Sequence, residues 1–165
     1  MSTTNLSSYK KDQLPDASSM RIGIVVSEWN EDITNNLYQG ALDTLLSCGL
    51  RKENIHLVTV PGSFELPMGA QMLIENRSVE AVLCLGSVIR GETPHFDFVC
   101  NAVAQGVKDV ALKTGRPVIF GVLTDNNVEQ ALARSGGALG NKGVEAAVTG
   151  IKMVALKRKL EDNWI

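Results

Sequence analysis

The chain has 165 residues, 44% apolar and 21% charged, the make-up of one ordinary globular domain. Its 16 basic and 18 acidic residues leave a net charge of -2, which argues against nucleic acid or a membrane surface as the main partner while leaving room for a local phosphate site. The three cysteines, Cys48, Cys84 and Cys100, are odd in number and widely spaced, so they read as reduced thiols of a cytoplasmic protein.

Residues 1–19 are polar, contain Pro15, and lack the charged start and apolar run of a secretory signal. They are expected to be a flexible segment, or to pair with a neighbouring subunit, ahead of a single domain over residues 20–165. No apolar run reaches the roughly 20 residues that span a bilayer, and no Cys or His spacing suggests a metal site.

The run MRIGIVVS at 20–27 predicts a strand buried on both faces. Asn30 then suits the cap of a helix over 31–47, with Glu31 and Asp32 in its first turn and Gly49 beyond its end. NIHLVTV at 54–60 predicts a second strand, with His56 in a structural place. Pro67 confines the next helix to about 66–75. A third strand is expected over 80–85, and a third helix over 94–114 with Thr93 as cap and Pro94 at its first position. A fourth strand over 118–123 precedes a short helix ending near Arg134, a loop over 135–140 and a last helix over about 141–160. This alternation predicts an α/β fold: a three-layer α/β/α sandwich with a four-stranded parallel sheet, flavodoxin-like, whose ligands bind beyond the carboxyl ends of the strands.

Each strand end carries unusual content. Trp29 reads either as a platform for a flat heterocycle or as a hydrophobic lid on the first helix. Ser63, Phe64 and Glu65 lie at a sharp turn, where backbone N–H groups face a ligand or Glu65 caps the turn. The loop from Ser87 to His95 opens a helix whose free N–H groups and dipole suit phosphate. His95, one of two histidines, is placed there to exchange protons near neutral pH. Arg134 reads as a phosphate clamp or as a cation at a helix end. No G-x-G-x-x-G follows the first strand, the Gly-rich run at 136–143 follows a helix and lacks a Gly-Lys-Ser/Thr ending, and Ser63 has no G-x-S-x-G frame.

The segments PGSFELP (61–67), GSVIRGETPHFDFVC (86–100), FGVLT (120–124) and GNKGVEAA (140–147) closely resemble the 6,7-dimethyl-8-ribityllumazine synthase family over about residues 20–160. The resemblance implies a transferase of riboflavin biosynthesis that uses no cofactor or metal. It joins 5-amino-6-(D-ribitylamino)uracil to 3,4-dihydroxy-2-butanone 4-phosphate, releasing phosphate and water. By the same resemblance Trp29 and Phe120 are aromatic platforms, and Ser63, Phe64, Glu65, Ser87, Val88 and Ile89 face the pyrimidine and its ribityl chain. Glu92, Thr93 and Arg134 face the phosphate, and His95 transfers protons. The family's site lies between subunits of a homopentamer, with Phe120 and Arg134 from the neighbour. The short 135–140 linker resembles that of members whose pentamers assemble into a sixty-subunit icosahedral shell. A binding-only paralogue, a structural container and a flavin mononucleotide carrier are the competing classes. The first two would not need His95 together with Arg134, Glu65 and Trp29, and the third would need a phosphate loop where Ser27-Glu28-Trp29-Asn30 stands.

Overall fold

The computed structural model describes Asn5 and residues 7–162. The elements follow as β1 (Ile22–Ser27), α1 (Glu31–Ser47), β2 (Ile55–Val60), α2 (Leu66–Asn76), β3 (Ala81–Ile89), α3 (His95–Thr114), β4 (Val118–Asp125), α4 (Val128–Arg134), β5 (Ser135–Gly137), β6 (Gly140–Asn141) and α5 (Lys142–Asp162). β1 to β4 form a parallel sheet in the order β2-β1-β3-β4. β1 and β3 are central because their aliphatic residues can be buried on both faces. Ile22, Ile24 and Val26 of β1 and Leu83 and Leu85 of β3 pack under Leu37, Ala41 and Leu45 of α1 and Ala147 and Ile151 of α5. Val25, Val82 and Cys84 point to the other face, against Leu66 and Ala70 of α2 and Val103 and Val107 of α3. The expected three layers are therefore present. Burial pushes the Cys84 thiol up to about 12, so it packs as a small apolar group.

Four local expectations change. β3 runs on through Ser87, Val88 and Ile89 instead of yielding to a loop at Gly86, because these residues pair with Leu123, Thr124 and Asp125 of β4. α3 starts at His95, not at Pro94, and no side chain caps it. Asn30 does occupy the cap position of α1, but in the left-handed region at φ 60°, and its side chain does not cap the helix. Residues 135–141 form the antiparallel ribbon β5–β6 rather than a plain loop.

Of the segment 1–19, residues 1–4 and 6 lie outside the described residues, as do 163–165 at the other end. Within the described part, Ser7 Oγ accepts from the Asn141 N–H, Tyr9 and Ser47 share a hydroxyl contact at 3.3 Å, and Ala17 is fully buried.

The edge of the sheet where the strands begin is fastened by one ion pair. Arg158 of α5 donates to both oxygens of Glu80 at 2.8 and 2.9 Å, and also to Ser19. Glu80 further accepts from the Arg21 N–H at 3.0 Å. Burial works to raise the Glu80 carboxyl, but the bonds from Arg158 and Arg21 outweigh it and hold it below its ordinary value of 4.5. A depressed carboxylate stabilises the fold above its unfolded value and loses that contribution as pH falls through the folded one. Glu80→Gln is expected to lower stability by about 1 kcal/mol at pH 7, a figure discounted for partial solvent screening. The gap to the natural protein should narrow as pH drops below 4.5. Thermal unfolding of both proteins across that range checks this, and equal stability at pH 7 would refute it.

Candidate active site

Because the four strands are parallel, Ser27, Val60, Ile89 and Asp125 all end at one edge, with Ser27 beside Val60 and Ile89 beside Asp125. Three groups of candidate residues stand along that edge.

The first group lies past β1 and β2. Pairing continues beyond the strands, since Glu28 N–H donates to Val60 O and Trp29 N–H to Pro61 O. This lays the Trp29 indole on Gly62, where a Cβ would come within 2.7 Å of the ring. Gly62 is therefore required by close approach, and the indole is left 67% exposed. Ser63–Glu65 make a 3-10 turn into α2. Glu65 turns back to accept from the Gly62 N–H at 3.0 Å, so the capping alternative holds for its side chain. Phe64 is 59% exposed, whereas Ser63 is buried. A Cβ on Gly86 would meet Ser63 Oγ at 2.6 Å and Ser27 Oγ at 3.1 Å, so two buried hydroxyls converge over a strand residue that must lack a side chain. Among the described residues neither hydroxyl has a hydrogen-bond partner, and nor does Ser87 Oγ on the opposite face.

The second group follows β3. Asn30 Nδ2 donates to Ser87 O at 3.0 Å, which ties the β1 loop to the end of β3. Val88 and Ile89 are half-buried, and Glu92, Thr93 and His95 are exposed. His95 opens a helix of 20 residues, where the dipole favours an anion.

The third group belongs to β4, an edge strand. Phe120 pairs with Cys84 in mid-strand, five residues before Asp125, or roughly 16 Å from the strand end. The structure therefore does not bring Phe120 to Trp29 or His95 within one chain. Arg134, at the end of α4, pairs with Glu145 at 2.8 Å and donates to Leu139 O at 3.0 Å. Lys142 shares Glu145 at 3.0 Å, which leaves the cluster with one net positive charge. Burial pushes the Asp125 carboxyl above its ordinary value, and Arg134 pulls the other way.

Among the described residues, no cluster of three His, Cys, Asp or Glu side chains is placed to hold a metal. The exposed indole and phenyl can stack a flat ring, the backbone around 62–65 and 87–89 can bond polar substituents, and the α3 start and the Arg134 cluster can take an anion. Sequence reasoning read Asn30 only as a helix cap and gave no site role to Ser27 or Arg90. Asn30 carried a signal, since Asn is the non-glycine residue that best tolerates positive φ.

The family described as 6,7-dimethyl-8-ribityllumazine synthase matches residues 19–158. The chain is 58% identical over 151 residues to the 6,7-dimethyl-8-ribityllumazine synthase of Cytophaga hutchinsonii, covering 92% of this chain and 94% of the relative. It is 54% identical over 155 residues to that of Christiangramia forsetii, with 93% and 92% covered. It is 48% identical over 161 residues to that of Phocaeicola vulgatus, with 98% and 96% covered.

The Glu65 reach-back gives a local test. Glu65→Ala strands the buried Gly62 N–H and is expected to cost about 1–2 kcal/mol, while Glu65→Gln, which keeps an acceptor, costs well under half of that. Chemical denaturation compares the two, and equal losses would mean that the bond does not hold the turn.

Proposed function

This chain belongs to the 6,7-dimethyl-8-ribityllumazine synthase family and is a transferase that catalyses its condensation, a step of riboflavin biosynthesis; on that premise we propose how its residues divide the reaction. Trp29 stacks the pyrimidine of 5-amino-6-(D-ribitylamino)uracil. The turn at Ser63, Phe64 and Glu65, together with Ser87, Val88 and Ile89, binds its ring and ribityl chain through neutral hydrogen bonds. Glu92 and Thr93, through backbone N–H groups at the start of α3, hold the phosphate of 3,4-dihydroxy-2-butanone 4-phosphate. Arg134 joins them with the N–H donors that Glu145 and Leu139 leave unused.

In this scheme the pyrimidine amine attacks the butanone carbonyl and loses water to form a Schiff base. His95 moves protons as phosphate leaves, and the ribityl-bearing nitrogen closes the ring with loss of a second water. Holding two substrates together supplies most of the acceleration. His95 adds a smaller factor.

The observation that carries the reading is the spread of these groups along one sheet edge. Trp29 and Glu65 lie on the β2 side, Phe120 and Arg134 on the β4 side, and three strand spacings, roughly 14 Å, separate them. One chain's Phe120 is too far from its own Trp29 to share a ring with it. A neighbouring copy, set with β4 toward this chain's β2 side, would supply the missing platform. A shared site fits the family resemblance, on which we propose a homopentamer in the cytoplasm, with the short 135–140 connection favouring further assembly into an icosahedral shell. No described helix is long and apolar enough to cross a membrane.

Mixing the two substrates with purified protein should generate the fluorescent lumazine. His95→Ala should lower kcat by about 10- to 100-fold and flatten the pH profile. Unchanged kcat and an unchanged profile would remove its assigned role. Light scattering should give the mass of a shell; a single pentamer would sink the shell, and a monomer active at full rate would sink the shared site.

A further inference from the structure

Arg90 occupies the last position before the loop that carries Glu92, Thr93 and His95, and its side chain turns back across that loop. Its Nη1 and Nη2 donate to the two carboxylate oxygens of Asp97 at 3.3 and 2.8 Å, and its Nε donates to Asn126 Oδ1 at 3.2 Å. The carbon of the same guanidinium lies over the Phe96 ring, 4.1 Å from its centre. One side chain thus grips both residues that follow His95, together with the connection between β4 and α4.

Little else holds this stretch. Residues 90–95 are exposed, and a Cβ on Gly91 would meet nothing within 4 Å. Among the described residues, Gly91, Glu92 and Thr93 make no hydrogen bond within the chain, and α3 begins without a side-chain cap. The backbone is fixed on entry by the Arg90 N–H donating to Asp125 O at 2.9 Å, and after the loop by the first bonds of α3 to Pro94 O. Between these points the Arg90–Asp97 fork is the side-chain brace.

Most surface ion pairs are worth little, and this one is 42% and 60% exposed at its two ends. A contribution to folding is therefore not its chief effect. Its geometry differs from an ordinary surface pair, since the fork is bidentate, set over a buried ring and bonded to a third element. Such a brace restricts direction more than it adds energy.

We propose that Arg90, with Asp97 as its counterpart, is a positioning residue of the condensation: it sets the direction of the His95 imidazole and the loop amides without touching substrate. The proposal rests on the reading of His95 as the proton-transfer residue.

The test is steady-state kinetics of the assembled enzyme and of R90Q, R90K, D97N, H95A and the double variant R90Q/H95A, each with a pH profile and a melting temperature. R90Q and D97N should each lower kcat about tenfold and raise KM for the phosphorylated substrate, with melting temperatures close to that of the natural enzyme. R90K should recover only part, because an ammonium offers neither the fork nor the stacking plane. In the H95A background, R90Q should cost kcat less than about twofold, since the group it directs is gone. Should R90Q fail to assemble, D97N and R90K carry the same comparison. Natural kcat in R90Q and D97N overturns the proposal. So does an undiminished R90Q effect in the H95A background, or a loss of kcat that merely follows loss of melting temperature. An impaired H95A beside unimpaired R90Q and D97N sinks the positioning role alone, whereas natural rates and pH profile in H95A sink the His95 assignment beneath it.

Discussion

Everything at the functional edge depends on the parallel pairing of β1 with β3. Both strands are buried on their two faces, so neither can present a polar side chain until its end. Parallel strands require crossovers, and the crossovers put all four carboxyl ends on one edge. The molecule is consequently divided in use. The edge where strands begin is closed by Glu80 and Arg158, which tie α5 to the sheet. The edge where they end carries exposed groups such as Trp29, Phe64 and His95 that the two cores do not bury.

That edge has a visible signature. Trp29 and Phe64 are large apolar side chains left mostly in solvent. Among the described residues, Ser27, Ser63 and Ser87 are buried hydroxyls without partners, and one oxygen of Asp125 is in the same condition. These are polar groups available to bond a ligand or water at this edge. Proteins break their local rules where binding or chemistry requires it. Here the buried polar groups gather toward one edge, whereas exposed apolar side chains also lie elsewhere, Leu112 and Leu160 among them.

Much of this was legible in the sequence, because the strands of a parallel sheet read as short aliphatic runs and the helices between them show one apolar face. The reading failed where a residue type carried two meanings. Gly86 and Ser87 look like a loop, yet they continue β3, because Gly86 fits where Ser63, Ser27 and Leu66 press against the strand. Asn30 looks like a cap, yet its side chain bonds Ser87 O, a partner 57 residues away that no local pattern can show. The strand order β2-β1-β3-β4 is also a long-range fact, and it is what separates Trp29 from Phe120. The Arg90 brace was invisible for the same reason, since Asn126 lies on another strand's exit.

The exposed setting of His95 bears on where catalytic power resides in such a site. His95 stands exposed at the start of α3, and on the proposed reading it supplies the modest factor of general acid–base catalysis. Two substrates held at a common edge gain far more from orientation, whose effect reaches the equivalent of about 10⁵–10⁸ M in well-aligned cases. A site of this kind depends on the direction of its loops more than on the strength of any one group. On the proposed reading the loop at 90–94 stays open on its substrate side, so packing cannot hold it there. What holds it must come from behind and must fix direction at little cost in burial. On the proposed reading, a guanidinium that bonds Asp97 and Asn126 by its N–H groups and lies over the Phe96 ring meets that requirement, and an apolar contact in the same place would not.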